Sequence, residues 1–318
     1  MNRVWLAVIT VLACGGKPAP APLGSRLAPA LGAALRAADQ ARAPWRCMAA
    51  DGPGAPEETL KLGARTWKLA GHTLTLPGTG ALTIGVLADA GGSAATTLAA
   101  LGRLRAQLAE ADLVISLGGM GATQAELEAT LGALAETAPW PLVAIPGDLE
   151  AVPLQIKAIA ALRARGRVVI DGRLLRRIDL PGVTIAIAPG ANAVERLVAG
   201  PEGCGYRATE VRAALAELSE RAGVRILATA EPPRITVGGE AAGMLVLTPD
   251  KPIDIVLHGP VEAASSARTG TRDGSHVALT PGTSDATTRL PGPRRPASAG
   301  ILTISGESWR WKPLVDNN

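Results

Sequence analysis

The chain has 318 residues, of which 47% are hydrophobic and 19% are charged, and its formal net charge is +4. This length supports one large domain or two small ones with a buried core. Only 2% of the residues are aromatic, and the basic residues form no stripe along the sequence. Nucleic-acid surfaces combine basic stripes with aromatic stacking platforms, so nucleic acid is not an expected partner.

The first residues have the pattern of an export signal. Arg3 precedes an apolar run over residues 4–13, which is too short to span a bilayer and has the length of a signal-peptide core. The run ends in Val-Leu-Ala-Cys, which resembles the bacterial lipobox. We therefore predict a lipoprotein signal peptide over residues 1–13 and lipidation of Cys14. A plain signal peptide cleaved nearby, with Cys14 incidental, is the alternative.

The residues after Cys14 predict a tether. The stretch 14–24 is rich in Gly and Pro, a composition typical of flexible or polyproline-like linkers. The predicted location is the cell envelope, with the membrane as a partner through the lipid on Cys14. Gly15 stands where an Asp would favour retention in the inner membrane, so the outer membrane is favoured in a Gram-negative cell.

Two cysteines remain after Cys14, namely Cys47 and Cys204. Export places them in an oxidising compartment, where two remaining thiols indicate a disulfide. Such a bond would close a long loop and stabilise the fold by up to about 4–5 kcal/mol in the chain-entropy model. Two buried free thiols are the alternative.

The segment 25–79 is predicted to be an N-terminal extension. Leu27, Leu31 and Leu35 repeat at helical spacing, which predicts a helix over 25–47. A Gly/Pro-rich loop is expected over 48–58, and two short strands over 66–76.

From residue 82 onward the pattern alternates between apolar strands and amphipathic helices. Helices are expected after a cap at Ser93, after a capping box of Thr123 and Glu126, from the third strand to Arg165, and from Thr209. The predicted strands cover 82–89, 112–119, 141–150, 167–172, 183–189, 224–233, 254–259, 276–282 and 300–306. The pattern predicts an α/β domain over 80–318, with mixed sheets flanked by helices. Because the late strands lack helices between them, a second, antiparallel sheet layer is expected.

Ligands of open α/β sheets collect beyond the carboxyl ends of the strands. The loops to inspect are 88–92, 117–121, 146–150, 228–233 and 258–262. In this order and spacing they resemble the calcineurin-like metallophosphoesterase family over residues 82–305. The resemblance implies a sandwich of mixed sheets flanked by helices. It also implies a site in which two divalent ions hold a phosphate and activate a water.

Most of the ligands that the resemblance implies are replaced in this chain. Asp89 matches the first Asp of the family, Asp148 replaces an Asn ligand, and Glu262 replaces the second His of the last motif. Glu150 matches the acidic residue that follows the catalytic His. The remaining family positions are occupied by Gly91, Gly119, Leu149, Ala230 and Pro260, with Gly119 in place of the bridging Asp and Leu149 in place of the catalytic His.

Glycine, alanine, leucine and proline side chains cannot ligate a metal, so a two-metal centre is not expected from these residues. We predict a catalytically inactive, metallophosphoesterase-like module with a binding or structural role toward an unknown protein or ligand. No catalytic residue is assigned and no cofactor is expected. Asp89, Asp148 and Glu262 are residual candidates for a single divalent cation such as Ca²⁺ or Mg²⁺, with Glu150 behind them.

Two alternatives remain open from the sequence. The residual acids could form a carboxylate-rich site in a metal-dependent phosphoesterase, or they could be ordinary solvated residues at loop ends. His258 precedes the strand-end glycine instead of following it, and is expected to be a buried, hydrogen-bonded histidine and not a ligand.

Overall fold

The structure is a computed structural model that describes residues 45–192, 194–237, 240–242, 253–260, 271–273, 276–284 and 296–316. The predicted signal peptide, Cys14, the tether and the predicted helix as far as residue 44 lie outside the described residues, as does Glu262. Among the described helices, none combines the length and the apolar character that a membrane crossing needs.

The described residues form four α-helices and 19 strands. The helices are α1 (Ala95–Gln107), α2 (Gln124–Ala135), α3 (Val152–Ala164) and α4 (Ala208–Ser219). The strands are β1 (Trp45–Arg46), β2 (Ala55–Leu62), β3 (Arg65–Gly71), β4 (Thr73–Thr75), β5 (Leu82–Leu87), β6 (Leu113–Leu117), β7 (Leu142–Ile145), β8 (Val169–Asp171), β9 (Arg177–Leu180), β10 (Val183–Ala188), β11 (Cys204–Gly205), β12 (Val224–Thr229), β13 (Ile235–Val237), β14 (Glu240–Ala242), β15 (Ile255–His258), β16 (Thr271–Asp273), β17 (His276–Leu279), β18 (Ser298–Ser305) and β19 (Ser308–Val315).

Two mixed sheets dominate the fold. The six-stranded sheet has the order β19-β18-β5-β6-β7-β8, in which β5 to β8 are parallel and β18 is antiparallel to both of its neighbours. The nine-stranded sheet has the order β16-β17-β15-β12-β10-β9-β4-β3-β2. Its strands β10, β12, β15 and β17 are parallel. The short pairs β1-β11 and β13-β14 stand apart from the two sheets.

The main hydrophobic core lies between the two sheets. Ile84 and Ile115 of the six-stranded sheet and Ile185 and Ile226 of the nine-stranded sheet belong to one buried cluster. Alternate residues of each strand point into this core because side chains of a strand alternate between its faces. Burying an aliphatic side chain of this size stabilises the fold by about 1.5–3 kcal/mol.

The outer faces of both sheets are covered by helices. Leu101, Leu131 and Ile159 of α1, α2 and α3 form a second buried cluster with residues of the six-stranded sheet. Leu215 of α4 packs with Leu227 and other residues of the nine-stranded sheet in a third cluster. The predicted fold class, a sandwich of mixed sheets flanked by helices, is therefore confirmed.

Several local predictions hold. The capping box of α2 is present, since Thr123 Oγ1 accepts from the Glu126 amide at 3.2 Å and Glu126 Oε2 accepts from the Thr123 amide at 3.1 Å. The disulfide joins Cys47 to Cys204, which are 157 residues apart in sequence and 5.6 Å apart between Cα atoms. It fixes the segment that carries β1 to the loop that precedes α4.

Other local predictions are wrong. Trp45–Arg46 is a strand beside β11 and not the end of a helix. The next residue, Cys47, is bonded to Cys204 of β11, and this bond holds the chain extended along that strand. Strand β2 begins at Ala55, inside the predicted loop over 48–58, since pairing with β3 compensates for its poor apolar pattern. Helix α1 begins at Ala95 after Ala94, and Ser93 does not cap it.

The late strands do not form a separate antiparallel layer. Strands β15 and β17 pair in parallel with their neighbours in the same sheet as β10 and β12. Parallel neighbours need a long connection that returns the chain to the end of the sheet where the previous strand began. The segments between Thr229 and Ile255 and between His258 and His276 are long enough for this. Strands β18 and β19 are antiparallel, but they belong to the six-stranded sheet. Strand β19 was not predicted.

Candidate functional site

A cavity of about 440 Å³ lies where the parallel strands of both sheets end. The loops after β5, β6 and β7 contribute from one sheet, and those after β10, β12 and β15 contribute from the other. The described lining residues are Asp89, Leu117, Gly118, Gly119, Gly147, Asp148, Gly190, Ala191, Arg196, Ala230, Glu231, Pro232, Gly259 and Pro260. All five loops singled out from the sequence therefore reach one cavity, as the strand-end rule predicts.

Asp89 and Gly119 are in direct backbone contact at the cavity wall. A Cβ added at Gly119 would lie 2.7 Å from the Asp89 Cα and 3.0 Å from Asp89 Oδ1. Gly119 has a φ of +71° and Asp89 a φ of +53°, both in the left-handed region that glycine adopts easily and other residues rarely. The Asp89 amide donates to the Gly118 carbonyl at 2.8 Å and the Gly91 amide to the Gly119 carbonyl at 2.9 Å. The two loops are thus held together through their backbones.

Glu150 holds the next pair of loops together from behind the cavity. Its Oε1 accepts from the Met120 amide at 2.6 Å, and its Oε2 accepts from the Gly147 amide at 2.8 Å. Burial raises the pKa of Glu150 to about 7, although the two backbone hydrogen bonds act in the opposite direction. The side chain is only 2% exposed and does not line the cavity. Glu150 therefore holds the loops after β6 and β7 in position.

Asp148 presents its carboxylate to the cavity from the loop after β7. The residue is exposed, and its backbone carbonyl accepts from the Ala199 amide at 3.0 Å. Partial loss of hydration at the cavity wall raises the pKa of Asp148, against the effect of backbone hydrogen bonds from its own amide and from Leu149. Asp148 and Asp89 therefore place two carboxylates on the same cavity.

A second charged cluster on the cavity was missed by the sequence analysis. The guanidinium of Arg196 forms an ion pair with Glu231, whose side chain is only 6% exposed. The Tyr206 hydroxyl donates to Glu231 Oε2, which also accepts from the Asn192 amide at 3.3 Å. Burial, together with the nearby charge of Glu231, raises the pKa of Tyr206 far above its usual range. The hydroxyl therefore stays protonated and acts as a donor.

Two signals in the sequence could have indicated this cluster. Glu231 directly follows Ala230 at the end of the buried strand β12, and an acid in that position needs a partner. Tyr206 is the only tyrosine of the chain. Arg196 gives no such signal, because it lies in a loop without a motif and is brought to the cavity only by the fold.

His258 is a buried structural residue, as predicted. It is 2% exposed, and its Nδ1 lies 2.7 Å from the Gly259 carbonyl oxygen. A carbonyl can only accept, so Nδ1 carries the proton and donates. Burial lowers the pKa of His258 to about 4, so the imidazole is neutral at pH 7.

The residues of the cavity do not fit a two-metal centre. Among the described residues, no three His, Cys, Asp or Glu side chains come close enough to hold a metal ion. Gly119 has no side chain, and Asp89 occupies the space that a ligand side chain at this position would need, since an added Cβ would lie 2.7 Å from the Asp89 Cα. Asp89 and Asp148 line the cavity, whereas Glu150 lies behind it and Glu262 is outside the described part of the chain. Ala230 and Pro260 also line the cavity but offer no ligand atom in their side chains.

The comparisons with known proteins concern the fold. No family model matches the chain, and no curated protein matches it. One solved structure aligns with 74% of this chain and 99% of its own, with a TM-score of 0.52 and 10% identity. The protein TT1561 of Thermus thermophilus aligns with 73% of this chain and 98% of its own, with a TM-score of 0.47 and 15% identity.

Purple acid phosphatase PPD1 from yellow lupin seeds aligns with 79% of this chain and 56% of its own, with a TM-score of 0.49 and 11% identity. The purple acid phosphatase and TT1561 have metallophosphoesterase-type folds. At these identities the likeness concerns the fold alone.

Proposed function

We propose that this protein is a lipid-anchored envelope protein whose metallophosphoesterase-like domain is a binding module without catalytic activity. The observation that carries the proposal is the contact between Gly119 and Asp89. Two like-charged ions a few ångströms apart need a shared anionic ligand between them. Here Gly119 offers no such side chain, and Asp89 occupies the space that its Cβ would need, while the cavity around them is retained.

The retained cavity favours a binding role over a purely structural one. Its walls carry three carboxylates and one guanidinium, from Asp89, Asp148, Glu231 and Arg196. Its volume of about 440 Å³ falls within the range of small-molecule sites. A scaffold without a ligand has no need for charged groups around an open cavity.

The hydrolysis of bis(p-nitrophenyl) phosphate in the presence of Mn²⁺ tests the absence of catalysis. We expect the full-length protein and its Asp89→Ala/Asp148→Ala variant to give the same background rate. A rate well above background that the double substitution abolishes would instead support the alternative, a metal-dependent phosphoesterase with an atypical carboxylate-rich site.

The anchor is proposed from the sequence and needs its own test. Mass spectrometry of the mature N-terminus should show a lipid on Cys14, and the Cys14→Ala variant should carry none and should leave the detergent phase in a phase-separation assay. Lys17→Ala serves as the matched control in the same segment and should behave like the wild type. A mature N-terminus without lipid would reject the anchor.

A further inference from the structure

Arg196 is held in place by a built set of contacts. Its guanidinium pairs with Glu231, and the buried Glu231 carboxylate is fixed in turn by Tyr206 and by the Asn192 amide at 3.3 Å. Glu231 is the centre of this set, and the side chain of Arg196 is 28% exposed at the cavity. A cation fixed in this way loses little conformational entropy when a ligand binds to it.

The guanidinium retains donors for a ligand. Of its five N–H donors, Nη1 serves Glu231, and within the described part of the chain Arg196 makes no other hydrogen bond. Arg196 is also the only cationic side chain among the described lining residues. Among the described lining residues, Arg196 is therefore the place where an anionic group on a ligand can be matched by charge.

The rest of the wall has the opposite charge. Asp89 and Asp148 line the same cavity, and the charge of Arg196 is already partly matched by Glu231. Among the described lining residues, Asp148 and Glu231 already outnumber Arg196 in charge, so a ligand with negative charge alone is repelled by them overall. A ligand with positive charge alone would leave the donors of Arg196 unused. A small ligand that carries both charges can pair with Asp148 and with Arg196 at the same time.

We propose that the cavity binds a small zwitterion, with a primary ammonium toward Asp148 and a carboxylate or phosphate toward Arg196. The apolar parts of the wall, including Leu117, Ala191 and Pro260, contact the body of the ligand between its charged ends. This inference rests on the proposed function, because a ligand in this place presupposes that no metal pair occupies it.

Isothermal titration of the full-length protein in EDTA buffer tests the ligand class. Alanyl-alanine represents carboxylate zwitterions and O-phosphoethanolamine represents phosphate zwitterions, whereas propylamine and inorganic phosphate carry only one sign of charge. At least one zwitterion should bind at least about tenfold, or 1.4 kcal/mol, more tightly than both single-charge probes. The tighter of the two zwitterions identifies the source of the anionic group. Binding of neither zwitterion, or equal binding of a single-charge probe, would overturn the inference.

Substitutions locate the binding to this cavity. Asp148→Asn and Arg196→Met should each weaken zwitterion binding at least about tenfold, whereas the exposed controls Asp51→Asn and Arg212→Met should leave it unchanged. Because Arg196→Met leaves Glu231 without its ion pair, circular dichroism must show a folded variant, and the exposed Asp148 provides the test if it does not. Unchanged binding in Asp148→Asn would place any ligand elsewhere and overturn the inference.

The two proposals fail in different ways. Phosphodiester turnover with Mn²⁺ contradicts the proposed function, whatever the titrations show. No turnover and no zwitterion binding leaves the non-catalytic assignment intact and removes only the ligand class.

Discussion

The Gly119 backbone lies directly on Asp89, so that a Cβ at position 119 would come within 2.7 Å of the Asp89 Cα. Among the described contacts, this one is the clearest difference between the cavity and a two-metal centre. Asp89 occupies the space that a side chain at position 119 would need, and Gly119 has a left-handed conformation with a φ of +71°. The absence of a ligand there is therefore built into the path of the backbone.

Gly119→Ala should destabilise the protein more than a glycine substitution outside the site. The left-handed conformation alone costs about 1–2 kcal/mol for alanine, and the contact with Asp89 should add about 1–3 kcal/mol by overpacking. Gly166→Ala is the matched control, because Gly166 has a φ of +77° but nothing within 4 Å of an added Cβ. Urea unfolding measures both. Equal losses of stability would mean that the loops separate easily at this contact.

Tyr206→Phe should lower the free energy of unfolding by about 1–3 kcal/mol, the range for a buried charged group that loses a donor. The Glu231 carboxylate remains buried and retains only Arg196 and the Asn192 amide. Combining the change with Glu231→Gln should give a much smaller additional loss, since the two residues act as a pair. Additive losses in urea unfolding would show that they do not interact.

Acidification should destabilise the protein through His258. Because burial lowers the pKa of His258 to about 4, the folded state binds fewer protons than the unfolded state between pH 6.5 and 4. The stability that the neutral form provides is present above pH 6.5 and is lost as pH falls through 4, by about 3 kcal/mol. The difference in unfolding free energy between wild type and His258→Asn should therefore shrink in this window.

The comparison of wild type with His258→Asn is needed because the titration of Glu150 changes the unfolding free energy in the opposite direction. Its pKa is raised to about 7, so its contribution to stability is present below pH 4.5 and is lost as pH rises through 7. Parallel stability curves for wild type and His258→Asn from pH 4 to 7 would contradict the burial argument for the histidine.

Reduction of the Cys47–Cys204 disulfide should destabilise the protein by up to about 4–5 kcal/mol in the chain-entropy model, because it closes a loop of 157 residues. Proteolysis should then begin in the loop that precedes Cys204 and carries Arg196. The variant Cys47→Ser/Cys204→Ser should reproduce the effect and should not respond to dithiothreitol. Equal stability of the wild type with and without reductant would contradict the prediction.

The sequence predicted the layered fold and the position of the cavity because both depend on local patterns. Apolar runs such as 183–188 and 224–229 are buried strands, and ligand positions follow from where such strands end. It also predicted that Asp89 and Asp148 lie at those ends. The parallel pairing of β15 with β12 and of β17 with β15 could not be predicted in this way, because the direction of a late strand depends on a long connection and not on its own residues.

The charged cluster of the cavity shows the same limit. Arg196 and Tyr206 are distant in sequence from Glu231, and they meet it only because the loop from Gly190 to Cys204 is fixed across the end of the sheet. The two backbone hydrogen bonds of Glu150 depend on the close approach of Gly118 and Gly147, which the sequence does not indicate. Contacts of this kind appear only once the loops are packed.

Metal content after equilibration with Mn²⁺ and dialysis tests the central claim most directly. The full-length protein, measured by inductively coupled plasma mass spectrometry, should retain no stoichiometric metal and should match its Asp89→Ala/Asp148→Ala variant. Two retained ions per chain, lost in the double variant, would show a working two-metal centre and would contradict the account.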